Sequence, residues 1–197
     1  TQNTYVKLGW EIPDVAVTPD TVMIALACSD PDDPKSGSWL QVDSIWLTGI
    51  DDTIPNGDFE RWETANYPEP ENWVSANLFG YLFGNDTLVT PTEDAYGGAF
   101  AMRIESKEVL IPNDNGFTNS VVGFALPFTS ELNLYEDLPT FGIDFNPLAL
   151  AGYYKYDPVK FDIALVLVKL IDDTGESYET VWFLSQAETY THFEIPL

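Results

Sequence analysis

Strand-like segments separated by turn-forming residues dominate this chain and constrain its fold most strongly. Apolar runs, alternating or continuous, recur between clusters of Gly, Pro, Asn and Asp, and helical periodicity is almost absent. The strands predicted from these runs are residues 21–27, 38–47, 99–105, 120–126, 149–156, 161–171, 179–184 and 189–195. Such strands without crossover helices predict an all-β fold, an antiparallel β-sandwich of the jelly-roll kind.

Length and composition indicate one globular domain over residues 1–197. Of the 197 residues, 45% are hydrophobic and 14% aromatic, which is enough to bury a full core. No apolar run reaches the roughly 18 residues that a membrane helix needs. No basic and apolar leader is present, so we expect at most a mature chain. The 14 prolines and few lysines favour a secreted or cell-surface protein.

Excess negative charge excludes two classes of partner. The chain has 32 acidic residues against 8 Lys and Arg, a formal charge of -24. A field of this sign repels nucleic acid and anionic lipid, so we expect neither nucleic-acid binding nor electrostatic docking on a membrane. The lack of a long apolar run predicts no membrane insertion. Three explanations of the charge remain open. They are a self-repelling soluble surface, bound calcium and adaptation to high salt, and the first two can coexist.

The single cysteine and single histidine limit the possible chemistry. One cysteine rules out an internal disulfide, and one histidine rules out a multi-histidine zinc site. Cys28 ends a buried strand, so we predict a small core residue. Alternation places His192 on the solvent face of its strand, opposite Phe193 and Ile195.

Motifs for catalysis are missing from the sequence. It has no nucleophile elbow and no phosphate-binding glycine loop, and the single histidine argues against a Ser-His-Asp triad. Carboxylate pairs are unavoidable among 32 acidic residues, so they do not indicate a glycosidase. We therefore expect no enzyme activity. A glycan-active enzyme is kept only as a third hypothesis, weaker than the two non-catalytic ones given below.

Six short motifs carry a resemblance to a known family. They are NGDFERW at 56–62, PENW at 70–73, DAYGGAFA at 94–101, GYYKY at 152–156 with DIA at 162–164, PDTVMI at 19–24 and GSWLQVDSI at 37–45. Together they resemble the galactose-binding-like jelly rolls, a class that includes many carbohydrate-binding modules. The 152–164 segment is similar to carbohydrate-metabolism domains of Bacteroidetes surface proteins.

The order of these motifs departs from that family. The closing-strand segment occupies residues 1–50, and the opening and central strands occupy residues 51–197. Three explanations stay open. The domain is circularly permuted within one monomer, or it is one repeat of a tandem array, or its first 50 residues complete a neighbouring subunit. The last two would build a head-to-tail fibre from copies of the chain.

The resemblance also implies a structural calcium ion that ties the opening strand to the closing strand. Carried over to this sequence, its ligands are Asp43, Glu60 or Asp58, and Asp94 with nearby Glu93. Calcium takes 6–8 oxygen ligands, and these segments are rich in carboxylates and carbonyls. The alternative is that Asp58 and Asp94 only cap turns through their own backbone.

Aromatic residues are the candidates for sugar binding, because flat rings stack on the apolar faces of sugars. The candidates are Trp39, Trp46, Tyr153, Tyr154, Tyr156 and Trp182. Tyr154 and Tyr156 share one strand face and Tyr153 lies on the other, so at most one of these sets can form a platform. The alternative is that these rings only pack in the core or at sheet edges.

Two functional hypotheses follow from these patterns. The leading one is a non-catalytic extracellular structural or adhesive module that assembles head to tail into a surface array or filament, stiffened by calcium. The other is a carbohydrate-binding module of a secreted bacterial polysaccharide-utilisation protein, in which calcium is structural and an aromatic strip binds the glycan.

Overall fold

The structure is a computed structural model. It describes residues 19, 21–30, 33–48, 54–64, 67–83, 86–110, 118–127 and 140–197. The strands are β1 (Thr21–Ala27), β2 (Trp39–Thr48), β3 (Trp62–Thr64), β4 (Pro68–Pro70), β5 (Trp73–Ser75), β6 (Val89–Thr92), β7 (Ala101–Glu105), β8 (Lys107–Leu110), β9 (Thr118–Val121), β10 (Phe124–Pro127), β11 (Phe141–Gly142), β12 (Ala149–Asp157), β13 (Ala164–Ile171), β14 (Ser177–Leu184) and β15 (Ala187–Pro196). The one helix in these ranges is α1 (Asn77–Phe83).

Two antiparallel sheets form the molecule. Sheet A has six strands in the order β14-β13-β1-β10-β5, with β11 also beside β1. Sheet B has five strands in the order β15-β12-β2-β7-β6, and β3-β4 and β8-β9 form two small ribbons. The prediction of an all-β antiparallel sandwich is therefore confirmed. No helix in the described ranges is long and apolar enough to cross a membrane.

The core lies between the two sheets, and period-two alternation fills it. In β13, every second residue is buried, including Val166 and Val168. These side chains join one hydrophobic cluster with residues of sheet B such as Leu40 and Leu150. Alternation of this kind is expected when only one face of a sheet packs against another sheet.

The strands of residues 1–50 occupy the middle of both sheets. β1 lies between β13 and β10, and β2 lies between β12 and β7. The pairing with β13 is long, running from Thr21 opposite Ile171 to Ala27 opposite Leu165. In this structure the chain therefore completes its own sheets.

Several chain positions meet at one end of the sandwich. Thr48 and Pro196 both pair with Ala149 at the start of β12, and the Leu197 N–H donates to the Leu148 carbonyl. Thr21 lies at the end of β13, and the connection from β12 to β13 crosses the opposite end. The start of β1 and the end of β15 therefore lie at the same end of the sandwich.

Two predicted strands differ clearly from the observed ones, and the six short strands β3, β4, β5, β6, β8 and β11 were not predicted. The strand predicted at 120–126 is divided between β9 and β10 at residues 122–123, where the Gly123 N–H donates to the Ser106 side chain. The strand predicted at 161–171 begins only at Ala164, since Lys160 has a positive φ of 61° and starts a turn. Helix α1 was not predicted.

Candidate functional site

Three aromatic rings meet on the face of sheet B that points away from the core. Trp46 lies on β2, Tyr153 on β12 and His192 on β15, and their centroids are 5.2 to 6.0 Å apart. Trp46 and Tyr153 are half-buried and His192 is exposed. We call these three residues, with Tyr96 and Tyr190, the aromatic cluster. The prediction that His192 lies on the solvent face, with Phe193 and Ile195 buried, is confirmed.

A β-bulge in β2 places Trp46 on this face. Ser44 has a positive φ of 54°, and the register of β2 with β12 shifts beside it. The extra residue reverses the alternation, so that Ile45 enters the core while Asp43 and Trp46 both lie on the outer face. Bulges are frequent where a strand must re-aim a side chain.

A turn over residues 94–100 folds across the aromatic cluster. Tyr96 stacks on Tyr153 with centroids 3.6 Å apart and planes 13° from parallel. The Tyr96 ring also meets Tyr190 edge-on at 5.9 Å. Tyr96 is 52% exposed, so one ring of the cluster stands above the sheet surface and in contact with solvent.

Two carboxylates hold this turn in place. Asp43 Oδ2 accepts the N–H groups of Tyr96 and Gly97 at 2.5 and 2.9 Å. Glu60 Oε1 accepts the N–H groups of Ala99 and Phe100 at 2.8 and 3.0 Å. Together these bonds fix the backbone on which Tyr96 is carried.

Glycine is required at position 98 for the second of these contacts. Gly98 has a φ of +68°, and a Cβ there would lie 1.9 Å from Glu60 Oε1. The segment before β3 positions Glu60 itself. Phe59 is buried against Trp73 with ring centroids 5.2 Å apart, and the Asn56 side chain bonds to the backbone of Arg61.

Burial raises the pKa of the Asp43 carboxyl, and the nearby charge of Glu60 raises it further. The N–H groups of Gly97 and Tyr96 act in the opposite direction by stabilising the carboxylate. Asp43 is 0% exposed, although it lies on the outer face, because the turn covers it. The outer face of sheet B thus carries a buried carboxyl group, that of Asp43, close to the carboxylate of Glu60.

The five predicted metal ligands do not all meet at this turn. Asp43 and Glu60 do, whereas the Asp94 carboxylate pairs with Lys155 Nζ at 2.6 Å. Asp58 and Glu93 are exposed. Among the described residues, no three His, Cys, Asp or Glu side chains form a group that could hold a metal ion.

Two positively charged side chains, Lys155 and Arg103, lie near the aromatic cluster, and each contacts another side chain of the protein. Lys155 bonds to Asp94 and lies 4.7 Å from the centre of the Tyr190 ring. The Arg103 guanidinium lies 4.3 Å above the Trp39 ring. The Tyr190 hydroxyl donates to the Asp94 carbonyl at 2.6 Å, and burial raises the pKa of this tyrosine to about 12.

The structure places the predicted sugar-binding aromatics in four different surroundings. Trp46 and Tyr153 belong to the aromatic cluster, and Trp39 is half-buried under Arg103. The prediction that Tyr154 and Tyr156 bind a ligand is wrong, because these rings are only 5% and 1% exposed and belong to the core. Trp182 lies on β14 in sheet A and packs against the core, so it is not part of the aromatic cluster on sheet B.

Three members of the cluster were not predicted as site residues. The alternation that places Tyr153 opposite Tyr154 also places His192 and Tyr190 outward, and this was the available signal. Tyr96 could not be assigned from its spacing, because it reaches the cluster from a turn rather than from a neighbouring strand position.

A separate polar cluster lies between β4, β5 and α1. Glu69 accepts a hydrogen bond from the Ser75 hydroxyl at 2.7 Å and one from the Asn77 side chain at 3.3 Å. Asn77 is wholly buried, and its side-chain oxygen accepts the N–H groups of Leu88 and Val89. Burial raises the pKa of Glu69 to about 7. The Glu69 carboxyl should therefore lose its proton and become negatively charged near neutral pH.

The buried thiol fills a structural position. Cys28 is 0% exposed, and its Sγ lies 3.0 Å from the Ser106 hydroxyl oxygen. Burial raises the pKa of Cys28 to about 11, which disfavours the reactive thiolate. The prediction of a small core residue is confirmed.

A scan against protein-family models gave no match, and searches of curated proteins and of solved structures gave none either. The function must therefore be inferred from the geometry of the chain itself.

Proposed function

We propose that this domain is a non-catalytic extracellular β-sandwich module that binds carbohydrate through the aromatic cluster. The observation that carries the proposal is the meeting of Trp46, Tyr153 and His192 on one outward sheet face, with centroids 5.2 to 6.0 Å apart. Clustered aromatic rings that stay in contact with solvent suit the stacking of sugar rings.

The Asp94 carboxylate, exposed beside Tyr190 and paired with Lys155, can also accept sugar hydroxyls. Gln41 is buried and its side-chain nitrogen bonds to the Asp94 carbonyl and the Tyr190 hydroxyl, so it positions the ring. Apolar faces with a few fixed polar groups are the usual composition of small-molecule sites. These contacts also hold the rings in place before a ligand arrives, which reduces the entropy lost on binding.

Replacing Trp46 by alanine is expected to lower affinity for a bound glycan about tenfold or more, because it removes the largest ring of the face. The measurement is affinity electrophoresis and calorimetry on a panel of polysaccharides. Phe183→Ala is the matched control, since Phe183 is an aromatic residue 63% exposed on β14 of the other sheet. The proposal fails if no glycan binds, or if Trp46→Ala binds as tightly as the parent.

We further propose that calcium binds at the turn over residues 94–100. Asp43 and Glu60 support this, since both carboxylates reach the same turn and calcium prefers oxygen ligands. Main-chain carbonyls would have to supply the remaining ligands. When bound, the ion would offset the repulsion between these two acids and stiffen the turn that carries Tyr96.

Chelation with EDTA is expected to lower the melting temperature, since removing an ion bound only to the folded state removes its stabilisation. Asp43→Ala should abolish this difference between calcium and EDTA. Asp157→Ala, an exposed acid at the end of β12, should keep it. An unchanged melting temperature of the parent protein in EDTA would refute the calcium site.

Self-assembly is a second candidate function, favoured by two long edge strands. Within the described ranges, β14 pairs only with β13, and β15 pairs only with β12. The two strands have 8 and 10 residues, and residues 185–186 join them across one side of the sandwich. Unpaired edges of this length can add a strand from another copy. Assembly into a surface filament would then use this side rather than residues 1–50.

Val181→Lys is expected to shift assembled protein to monomer, because an inserted lysine blocks pairing at a sheet edge. Light scattering and negative-stain imaging give the readout. Leu82→Lys is the control, since Leu82 is 60% exposed and lies on α1, away from β14 and β15. Monodisperse parent protein of 22.0 kDa at high concentration would refute self-assembly.

A further inference from the structure

We infer that the aromatic cluster takes a single, uncharged glycan chain in solution, and neither the flat surface of a crystalline polysaccharide nor an acidic glycan. The inference rests on the proposed function, because it specifies the ligand class of the same face. Two independent features carry it: the angles between the rings and the charges around them.

The rings of the face are not coplanar. Trp46 is inclined by 42° to Tyr153 and by 40° to His192, and Tyr153 is inclined by 63° to His192. A flat crystal face can lie against several rings at once only when those rings share a plane. A single chain can rotate about its glycosidic bonds and follow tilted rings.

Tyr96 adds a step to this face. Its ring lies parallel to Tyr153 at a centroid distance of 3.6 Å, so it covers one face of that ring. Trp46 and His192 contact Tyr153 at centroid distances of 6.0 and 5.2 Å, with their planes inclined to it. We call the uneven surface that these four rings form the notch, and such a surface suits a narrow chain better than a plane.

Charge excludes acidic glycans by two routes. The protein as a whole carries a formal charge of -24, which repels uronate and sulfate groups over the range of the screened field. Locally, Lys155 is already paired with Asp94, and Arg103 lies over Trp39 and 3.9 Å from Glu105. In the described part of this face, both cations near the rings thus already contact acidic or aromatic side chains of the protein. An anionic sugar would have to displace these contacts in order to pair with them.

The notch is also short. The three rings fit within centroid separations of 6.0 Å or less, so the contact area corresponds to roughly one sugar ring with its neighbours. Affinity should therefore stop rising with chain length after a short oligosaccharide, because longer chains extend beyond the aromatic contacts.

The test uses the whole chain and three kinds of probe. Soluble neutral polysaccharides are hydroxyethyl cellulose, xyloglucan, galactomannan and soluble starch; acidic ones are polygalacturonate and alginate; crystalline ones are microcrystalline cellulose and chitin. We expect retardation by at least one soluble neutral polysaccharide, weakened at least tenfold in Trp46→Ala and unchanged in Phe183→Ala. Its short oligosaccharides should bind about as tightly as the polymer.

The outcomes separate this inference from the proposed function. Retention only on crystalline or acidic probes, if Trp46→Ala abolishes it, overturns the inference and leaves carbohydrate binding standing. No retention on any probe overturns both.

Tyr96 provides a second arm that does not depend on folding of the core, because its ring is 52% exposed. Tyr96→Ala removes one ring of the notch and should weaken binding to the soluble chain several-fold, whereas Tyr96→Phe keeps the ring and should bind like the parent. If Tyr96→Ala binds the soluble chain as tightly as the parent, the notch is not the binding surface and the inference is overturned.

Discussion

Replacing Glu69 by glutamine is expected to raise the free energy of unfolding at pH 8 by on the order of 3 kcal/mol, and to change it little at pH 4. Burial raises the pKa of Glu69 to about 7, although hydrogen bonds from Ser75 and Asn77 favour the charged form. At pH 8 the parent protein must hold this carboxylate ionised in a place that disfavours charge, and glutamine removes that cost.

The sign follows from proton binding in the two states. The folded state holds the Glu69 proton up to a pH of about 7, whereas the ordinary value is 4.5. Its contribution to stability is therefore complete below the ordinary pKa and is lost as the pH rises through the folded pKa. The difference in unfolding free energy between Glu69→Gln and the parent should grow across this interval, as measured by urea denaturation at several pH values.

Glu63→Gln is the matched control for this experiment. Glu63 is an exposed glutamate on β3 directly opposite Glu69 in the β3-β4 ribbon. Its replacement should shift the curve by at most a few tenths of a kcal/mol at every pH. If the parent and Glu69→Gln give parallel pH profiles, the carboxyl is not the titrating group, and the prediction is wrong.

Asp43→Ala is expected to lower the free energy of unfolding by about 2–4 kcal/mol, with EDTA present throughout. The substitution removes the acceptor of two backbone N–H groups, those of Tyr96 and Gly97, at a wholly buried position. Two part-buried N–H groups then lose a charged acceptor, and a hydrogen bond to a charged group contributes about 1.5–3 kcal/mol. The turn over residues 94–100 should then loosen, and near-ultraviolet circular dichroism should report the lost Tyr96–Tyr153 stack.

Asp94→Ala separates this effect from a general loss of negative charge on the same turn. The Asp94 carboxylate is exposed and pairs with Lys155, so its removal should cost no more than about 1 kcal/mol. Equal stability of Asp43→Ala and Asp94→Ala would show that the buried contacts do not anchor the turn.

Strong alternation and clear turn residues made most of the sandwich predictable. β1 has the bounds expected from its apolar run, and β15 buries Phe193 and Ile195 as its pattern requires. Helix α1 escaped prediction because it has only seven residues, contains Gly80 and is apolar on several sides, so it has no period of 3.6 residues. Its position depends on packing against distant parts of the chain.

The candidate site was predictable only in part. Alternation separated Tyr153 from Tyr154 and Tyr156, but it could not tell which face meets solvent. The bulge at Ser44 decides the side on which Trp46 lies. Its mark in the sequence is the change of the apolar positions from Leu40 and Val42 to Ile45 and Leu47, which the reading of one continuous strand overlooked. Tyr96 joins the rings through a turn anchored by distant carboxylates, which is a tertiary contact.

β1 and β2 occupy the middle of both sheets, and this order affects how the chain is made. During synthesis they leave the ribosome long before their long partners β13 and β12, and of their described partners the short strands β7, β10 and β11 become available in between. Their apolar side chains stay open to chaperones or other nascent chains for that time. We expect folding to be slow and to finish late, because distant contacts must form before the inner strands are covered.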